Sequence, residues 1–390
     1  MNIKKTYIHE VKSMSELNFR INKNKFYNGL TAAARAISSN SPMPALTGVL
    51  MDVKEDEIHL IGSDADISIE VTLNNAMDQD LNLSVVTPGS IVIDSRYLLD
   101  IVKKIDSDTI SIEIIDGTLT RFSGTNAEYK INGYRPEDYP VIDFTEPENK
   151  FTISSETLSQ IISQTIFAAS GKETRPVLTG LNIKTEENNV ICTATDSYRL
   201  AKKTVAVQAP AFATTVPARS MNEVKNIFND KDVEVAVSPK KIQFRSGAYV
   251  LQSTLLEGNY PETDRLIPSE FSRTLIINRF ALIQAVDRTS FIKTDNMPII
   301  RMQINSADDI VISNKNQEIG ESRESLKAVS YDGEPLDISF AGNYILDAAK
   351  ALSTENIRIC FTGEMKPFIL RNDNEDDSIL QLVLPVRTYN

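Results

Sequence analysis

Ile110-Ser111-Ile112-Glu113-Ile114, Val233-Glu234-Val235-Ala236-Val237 and Ile357-Arg358-Ile359-Cys360-Phe361 read as one strand written three times. Each puts apolar residues at every second position, the period of a strand with one buried face. Their starts lie 123 and 124 residues apart. A Phe a few residues downstream keeps the spacing at Phe122, Phe244 and Phe368, and a Pro opening an apolar strand recurs at Pro44, Pro176 and Pro298. A repeat on that scale sets the architecture before any single residue does.

Outward from the mark, each copy reads helix, strand, strand, helix, strand. Leading helices are predicted at about Lys23 to Ser38, Ser154 to Lys172 and Asn278 to Lys293, and second helices at about Ser95 to Ile105, Ala218 to Asn229 and Asn343 to Leu352. In the helix after Ser95, the residues Tyr97, Leu98, Ile101, Val102 and Ile105 share one stripe, as burial against a sheet requires. Runs of strands between single helices point to an α+β domain on antiparallel sheet, not a doubly wound parallel one. The copies meet at two acid-bearing connectors that start with the same step, Tyr139-Pro140 to Glu148 and Tyr260-Pro261 to Ser272. The predicted layout is a tail at 1–16 and domains at 17–145, 146–271 and 272–390.

At 390 residues with 41% apolar content, three cores of ordinary size fit the chain better than one. No apolar run nears the eighteen or so residues of a membrane helix. The leader, Met1 to Glu16, has no apolar h-region and reads as a frayed tail, with Met14 an alternative start. Cys192 and Cys360 sit inside apolar strand patterns, which predicts buried inert thiols in a reducing compartment.

Charge is the second informative feature. Lys and Arg total 41 against 53 Asp and Glu, a net of −12, which argues against a polyanion partner. The six helical segments depart from that average: 13 basic and 5 acidic residues give +8 there and leave −20 elsewhere. Their cations include Lys25, Arg35, Arg96, Lys103, Lys104, Arg219, Lys225, Arg279, Arg288 and Lys350. On one surface, these would form a basic track in an acidic molecule, the footprint of phosphate-backbone binding; singly, each is an ordinary solvated face.

Catalytic equipment is thin. Of two histidines, His9 lies in the tail and His59 lies between Ile58 and Leu60 in an apparent strand, where a structural role is expected. CxxC, HExxH, GxGxxG and GxSxG are absent, and no spacing singles out an acid pair. Ser170-Gly171-Lys172-Glu173 lacks the first Gly and the hydroxyl residue of a phosphate loop, and is read as a helix C-terminal Gly followed by loop. No cofactor and no metal is expected.

The segments that mark the repeat also carry a resemblance. Pro42-Met43-Pro44-Ala45-Leu46-Thr47-Gly48, Gly62-Ser63-Asp64-Ala65-Asp66-Ile67-Ser68-Ile69-Glu70, Arg175-Pro176-Val177-Leu178-Thr179-Gly180, Cys192-Thr193-Ala194-Thr195-Asp196-Ser197-Tyr198-Arg199-Leu200-Ala201, Asp332-Gly333-Glu334 and Leu384-Pro385-Val386-Arg387-Thr388-Tyr389 resemble the bacterial DNA polymerase III beta subunit family, the sliding clamps, in its low-GC Gram-positive form. The likeness runs from about Leu17 to Tyr389. It departs in the leader, in Asn390 after the usual final Tyr, and in Tyr198 where many members have His.

The resemblance implies three clamp domains per chain, each with two helices on antiparallel sheets, closed head to tail by a second chain into a homodimeric ring lined by helices. Six helices side by side at about 10 Å would leave a hole near 9 Å, whereas twelve leave about 28 Å, enough for a duplex. It further implies a non-enzyme that encircles double-stranded DNA without reading sequence. As a processivity factor it would tether the DNA polymerase III alpha subunit, the clamp loader and other clamp-motif proteins of replication and repair. Such a protein would be cytoplasmic, nucleoid-associated and membrane-free, needing ATP only through its loader.

Carried over motif by motif, a groove for short apolar partner peptides would draw on Leu178, Thr195, Ser197, Tyr198, Arg199, Leu200, Pro261, Arg265, Leu266, Tyr344, Val383, Leu384, Pro385, Val386 and Arg387. Leu, Val and Pro suit an apolar floor, and Arg and Ser suit a few polar contacts. The dimer seam would set Tyr129 and Ile131 against the partner's third domain at Phe291 and Ile292; by pattern alone, all four read as core. Two rivals remain at the level of residues: a multi-domain peptide- or carbohydrate-binding scaffold without a DNA role, and a hydrolase using a carboxylate pair.

Overall fold

The computed structural model describes residues 17–293, 297–374 and 378–387. The leader with His9, and the last three residues, lie outside them. The chain forms two compact units. One holds the described residues up to Pro147 together with Gln243–Ser253; the other holds Glu148–Ile242 and the residues from Thr254 onward.

The strand that marks the repeat has one partner type in every copy: the strand just ahead of the leading helix. Asn18–Asn22 pairs antiparallel with Thr109–Asp116, setting Ile21 opposite Ile110. Asn149–Ile153 pairs with Val233–Val237, with Ile153 opposite Val233. Arg273–Asn278 pairs with Asn356–Phe361, with Ile277 opposite Ile357. The spaced Phe residues follow suit, Phe122 lying across from Ile112 and Phe368 opening the strand Phe368–Asn372.

All six helices are present: α1 (Lys23–Ala34), α2 (Ser95–Lys104), α3 (Ser155–Thr165), α4 (Ala218–Ile227), α5 (Arg279–Thr289) and α6 (Gly342–Ala351). The three leading helices share a start signal, a side chain that accepts a backbone N–H of the first turn: Asn22 from Lys25, Ser154 from Thr157 and Asn278 from Ala281. They end earlier than the apolar pattern suggested. At Thr165 and Thr289 the hydroxyl donates back to the carbonyls of Ile161 and Ala285, and Ser290 does the same to Val286. Such back-bonds weaken continuation of the helix. In the second copy the chain then runs as a 3-10 turn, Ile166–Ala168, so Gly171 is an exposed loop residue and not a helix C-terminal glycine.

The recurring Pro also does something the pattern did not show. Pro44–Thr47 and Pro176–Thr179 are 3-10 turns, and the strands start only at Gly48 and Gly180. Each Thr hydroxyl donates to the carbonyl of the Pro at 2.7 Å, and Leu46 and Leu178 are buried beneath. The glycine follows because a Cβ at Gly180 would sit 2.3 Å from the Val216 carbonyl oxygen.

In the first unit, α1 and α2 pack together, with α1 chiefly on Glu57–Ser63 and Ile67–Asn74, and an antiparallel five-stranded sheet ends in Glu128–Asn132. A second run follows the order Gly89–Asp94, Gly48–Val53, Glu57–Ser63, Ile67–Asn74, and there Tyr249 to Ser253 pair with Val71 to Ile67. In the second unit, Arg199 stands opposite Val383, which joins the strands of the second and third copies into one nine-stranded sheet. The separate four-stranded sheet ends in Gly320–Leu326. The third copy's core packs Leu282 and Val286 of α5 and Ile345 and Leu346 of α6 onto Phe340, Phe361 and Phe368. Cys192 and Cys360 are buried in strands as read from their pattern, and burial pushes the Cys192 thiol up to about 12.

Candidate peptide groove and helix cations

Within the second unit, Tyr344, Val383 and Leu384 of the residues that the sequence singled out meet the turn Thr195–Arg199. Asp196 accepts from the backbone of Tyr198 and Arg199 at 2.9 and 3.0 Å, and the Thr195 hydroxyl donates to the Arg199 carbonyl at 2.6 Å. This Asx turn holds Ser197 at φ +78 and leaves Tyr198 61% exposed. The first copy repeats it at Asp64, with Ala65 at φ +81.

Arg199 is the hub. Its guanidinium donates to Asp196 at 3.0 Å, to Asp347 of α6 at 2.6 Å and to the Phe167 carbonyl at 2.5 Å. It also lies 4.6 Å from the ring centre of Tyr344 and 5.5 Å from that of Phe167. A planar, always-charged group suits this combination of forked hydrogen bonding and stacking, which a Lys could not reproduce.

The C-terminal segment lies alongside. The Leu384 N–H donates to the Tyr198 carbonyl at 2.9 Å, and the Val386 N–H to that of Ser339 at 2.7 Å. Leu384 packs on a small apolar cluster of Leu200, Cys360, Ile369 and Leu382, as does Ile267. Pro385 and Val386 are half-buried and Arg387 is exposed. Pro261 is half-buried, Leu266 is 55% exposed, and Arg265 is exposed and turned to Glu262.

The named residues therefore divide. Leu178, Thr195, Leu200 and Val383 are buried, whereas Ser197, Tyr198, Pro261, Leu266, Tyr344, Leu384, Pro385 and Val386 offer surface. Sequence reading missed Phe167, Asp347 and Ser339. Asp347 had a faint signal, three residues after Tyr344 on one helix; Phe167 and Ser339 had none.

The helix cations are less free than their number suggested. Lys25 pairs with Asp78 at 2.6 Å, Arg96 with Asp94 at 3.0 Å, Lys104 with Asp100 at 2.6 Å and Arg288 with Glu324 at 2.6 Å. These hydrogen-bonded carboxylates raise the pKa of all four. Arg279 donates to the Thr354 carbonyl and lies over Phe280. Lys103, Lys225 and Lys350 are exposed and hold no ion pair among the described residues, and Arg35 and Arg219 are exposed too. Exposed pairs contribute little, so a phosphate can compete for these cations at small cost.

Of the seam residues, Phe291 is 65% exposed, against its core reading, while Ile292 is 1% exposed and packs inside the chain's own fold. Tyr129 and Ile131 are half-buried on Glu128–Asn132.

His59 is held in a strand, its two ring nitrogens 3.0 Å from Glu70 and 2.8 Å from Glu57. The hydrogen bond that its ring donates to Glu70 raises its pKa, against opposing desolvation. A raised folded-state value stabilises below about pH 6.5 and is lost as pH rises through it. His59→Gln should therefore lower the melting temperature more at pH 6 than at pH 8.5. An equal loss at both would refute the charged contact.

Models of the DNA polymerase III beta subunit match 17–143 (N-terminal domain), 152–262 (central domain) and 264–387 (C-terminal domain). The chain belongs to that family. Among its relatives, the beta sliding clamp of Bacillus subtilis (strain 168) is 36% identical over 379 residues, covering 96% of this chain and all of the relative. That of Staphylococcus aureus (strain N315) is 34% identical over 378 residues, with the same coverage. A crystal structure of the Bacillus subtilis clamp superposes with a TM-score of 0.91 over 96% of this chain and all of that one, at 36% identity. The family's members are non-catalytic processivity clamps of DNA replication, and this chain has their three α+β clamp domains. Among the described residues, no helix is long and apolar enough to cross a membrane.

Proposed function

We propose that two copies close head to tail into a ring around duplex DNA, slide without reading bases and tether the replicative polymerase. The domain limits are taken at 145/146 and 271/272. The observation that carries this reading is the family match over all three domains, in a chain whose six helices hold 10 basic and 5 acidic residues, a net of +5, within a total of −12. Cations that reach phosphates through water bind by counterion release and carry no sequence information. Retention then comes from topology, and a tethered polymerase stays at high effective concentration near its template.

Two sheet-end strands, Glu128–Asn132 and Gly320–Leu326, suit a head-to-tail seam, because an unpaired edge is a template for another strand. Phe291, exposed two residues past Thr289, whose carbonyl accepts from Ser322 of the second of them, is the seam's apolar contact. The groove around Arg199 takes the apolar clamp motifs of the polymerase alpha subunit, the clamp loader and repair enzymes. The ring works in the cytoplasm, on the nucleoid.

The test is retention. Clamps loaded onto a nicked circle should remain through a salt rise that strips ordinary phosphate contacts, and should leave when the circle is linearised. Equal loss from both DNAs would instead favour a binding scaffold with merely solvated helix cations.

A further inference from the structure

The connector that carries Pro261, Arg265 and Leu266 stands off the sheet it crosses. Between it and Asn182, Thr193 and Thr215 lies an open cavity of about 1260 Å³. The chain is tied ahead of the segment by the Leu256 N–H, which donates to the Thr215 carbonyl at 2.9 Å, and directly after Leu266 by Ile267 in the apolar cluster. Over the cavity Tyr260 and Pro261 are half-buried and Thr263 is buried, whereas Asp264, Arg265 and Leu266 are exposed. Its exposed turn is tied to the sheet by a carboxylate: Asp264 accepts from Lys202 at 2.6 Å and from Lys184 at 3.5 Å. The two lysines belong to different strands, Arg199–Ala206 and Gly180–Glu186, so the carboxylate spans two strands of the sheet. Asp264 also opens the short 3-10 turn Asp264–Leu266, so its position sets where Arg265 and Leu266 face.

We propose that Asp264 is a positioning residue for the groove, acting through its hold on Lys202 and Lys184 to fix the turn that presents Pro261, Arg265 and Leu266 to a bound peptide. The proposal rests on the peptide-groove reading above. Lys202 keeps the Asp264 carboxyl below the usual carboxylate range, consistent with a pair formed throughout the neutral range. Releasing the turn makes a peptide bear the cost of ordering it, which appears as weaker binding without loss of any contact residue.

The experiment measures binding of a fluorescent peptide bearing the polymerase alpha subunit's apolar clamp motif to the full-length protein, with melting temperature in parallel. Asp264→Asn should weaken binding roughly two- to fivefold, the range of a partly exposed ion pair. Combining it with Lys202→Met should add little, and the exchanged pair Lys202→Glu with Asp264→Lys should recover most of the loss. Leu266→Asp serves as the groove control. If that control fails to bind while Asp264→Asn binds normally, the positioning role is wrong and the groove stands; if Leu266→Asp also binds normally, the groove reading itself falls. A loss in Asp264→Asn that merely tracks a lower melting temperature, with no recovery in the exchanged pair, would likewise overturn the proposal.

Discussion

A chain shortened to end at Val383 should lose binding of clamp-motif peptides by at least about a hundredfold, because several apolar contacts worth one to two kcal/mol apiece go together. The cut removes Leu384, Pro385 and Val386, the surface-reaching apolar part of the groove. It spares the pairing of Arg199 with Val383 and the hydrogen bonds from Arg199 to Asp196, Asp347 and Phe167. The nine-stranded sheet should therefore remain, and so should the dimer, whose proposed edge strands lie elsewhere. Some stability is lost with Leu384, which covers Leu200 and Leu382. Peptide titration beside a solution mass measurement decides the matter. Unchanged affinity would remove these residues from the groove, and monomers would mean that the tail serves the seam instead.

Phe291→Asp should turn dimers into monomers at concentrations where the parent is dimeric, weakening association by about a hundredfold or more, as for the loss of a central aromatic anchor. The residue is well placed for that part. Buried Asn314 donates to the carbonyls of Thr289 and Ile292 at 3.1 and 2.7 Å, so the turn that carries Phe291 is fixed from both sides. A fixed turn presents its ring at low entropic cost. Ile292→Asp makes the contrast. It puts a carboxylate where a side chain is 1% exposed, and should lower the stability of the fold by several kcal/mol whatever happens at the seam. Sedimentation separates the two: an intact dimer in Phe291→Asp would count against the seam, and an unperturbed melt in Ile292→Asp would contradict its burial.

The contrast between these neighbours shows what the sequence could convey. Phe291 and Ile292 carry the same hydrophobic signal, and pattern alone reads both as core. What separates them is the path of the chain after Thr289, where the helix ends because a hydroxyl turns back on it. The same local competition shortened α3 and moved Gly171 out of a helix end. Helix starts were easier: Asn22, Ser154 and Asn278 announce them within three residues. The groove was legible as motifs but not as geometry. Asp196, Ser197 and Tyr198 form a local turn, whereas the bond from Arg199 to Asp347 spans 148 residues and has no local trace.

By itself, the sequence determined the three-fold repeat, the presence of its six helices, the buried face of the strand that marks each copy and the positive bias of the helical segments within an acidic chain. These depend on spacing, capping and composition, which act within a few residues. Only the tertiary structure decided that the second and third copies share one sheet through Arg199 and Val383, that Lys25, Arg96, Lys104 and Arg288 already hold carboxylates, and that Asp264 pairs with Lys202. Those outcomes depend on pairing energies between groups far apart in the chain, and such a pair exists only once folding has brought both partners to one place.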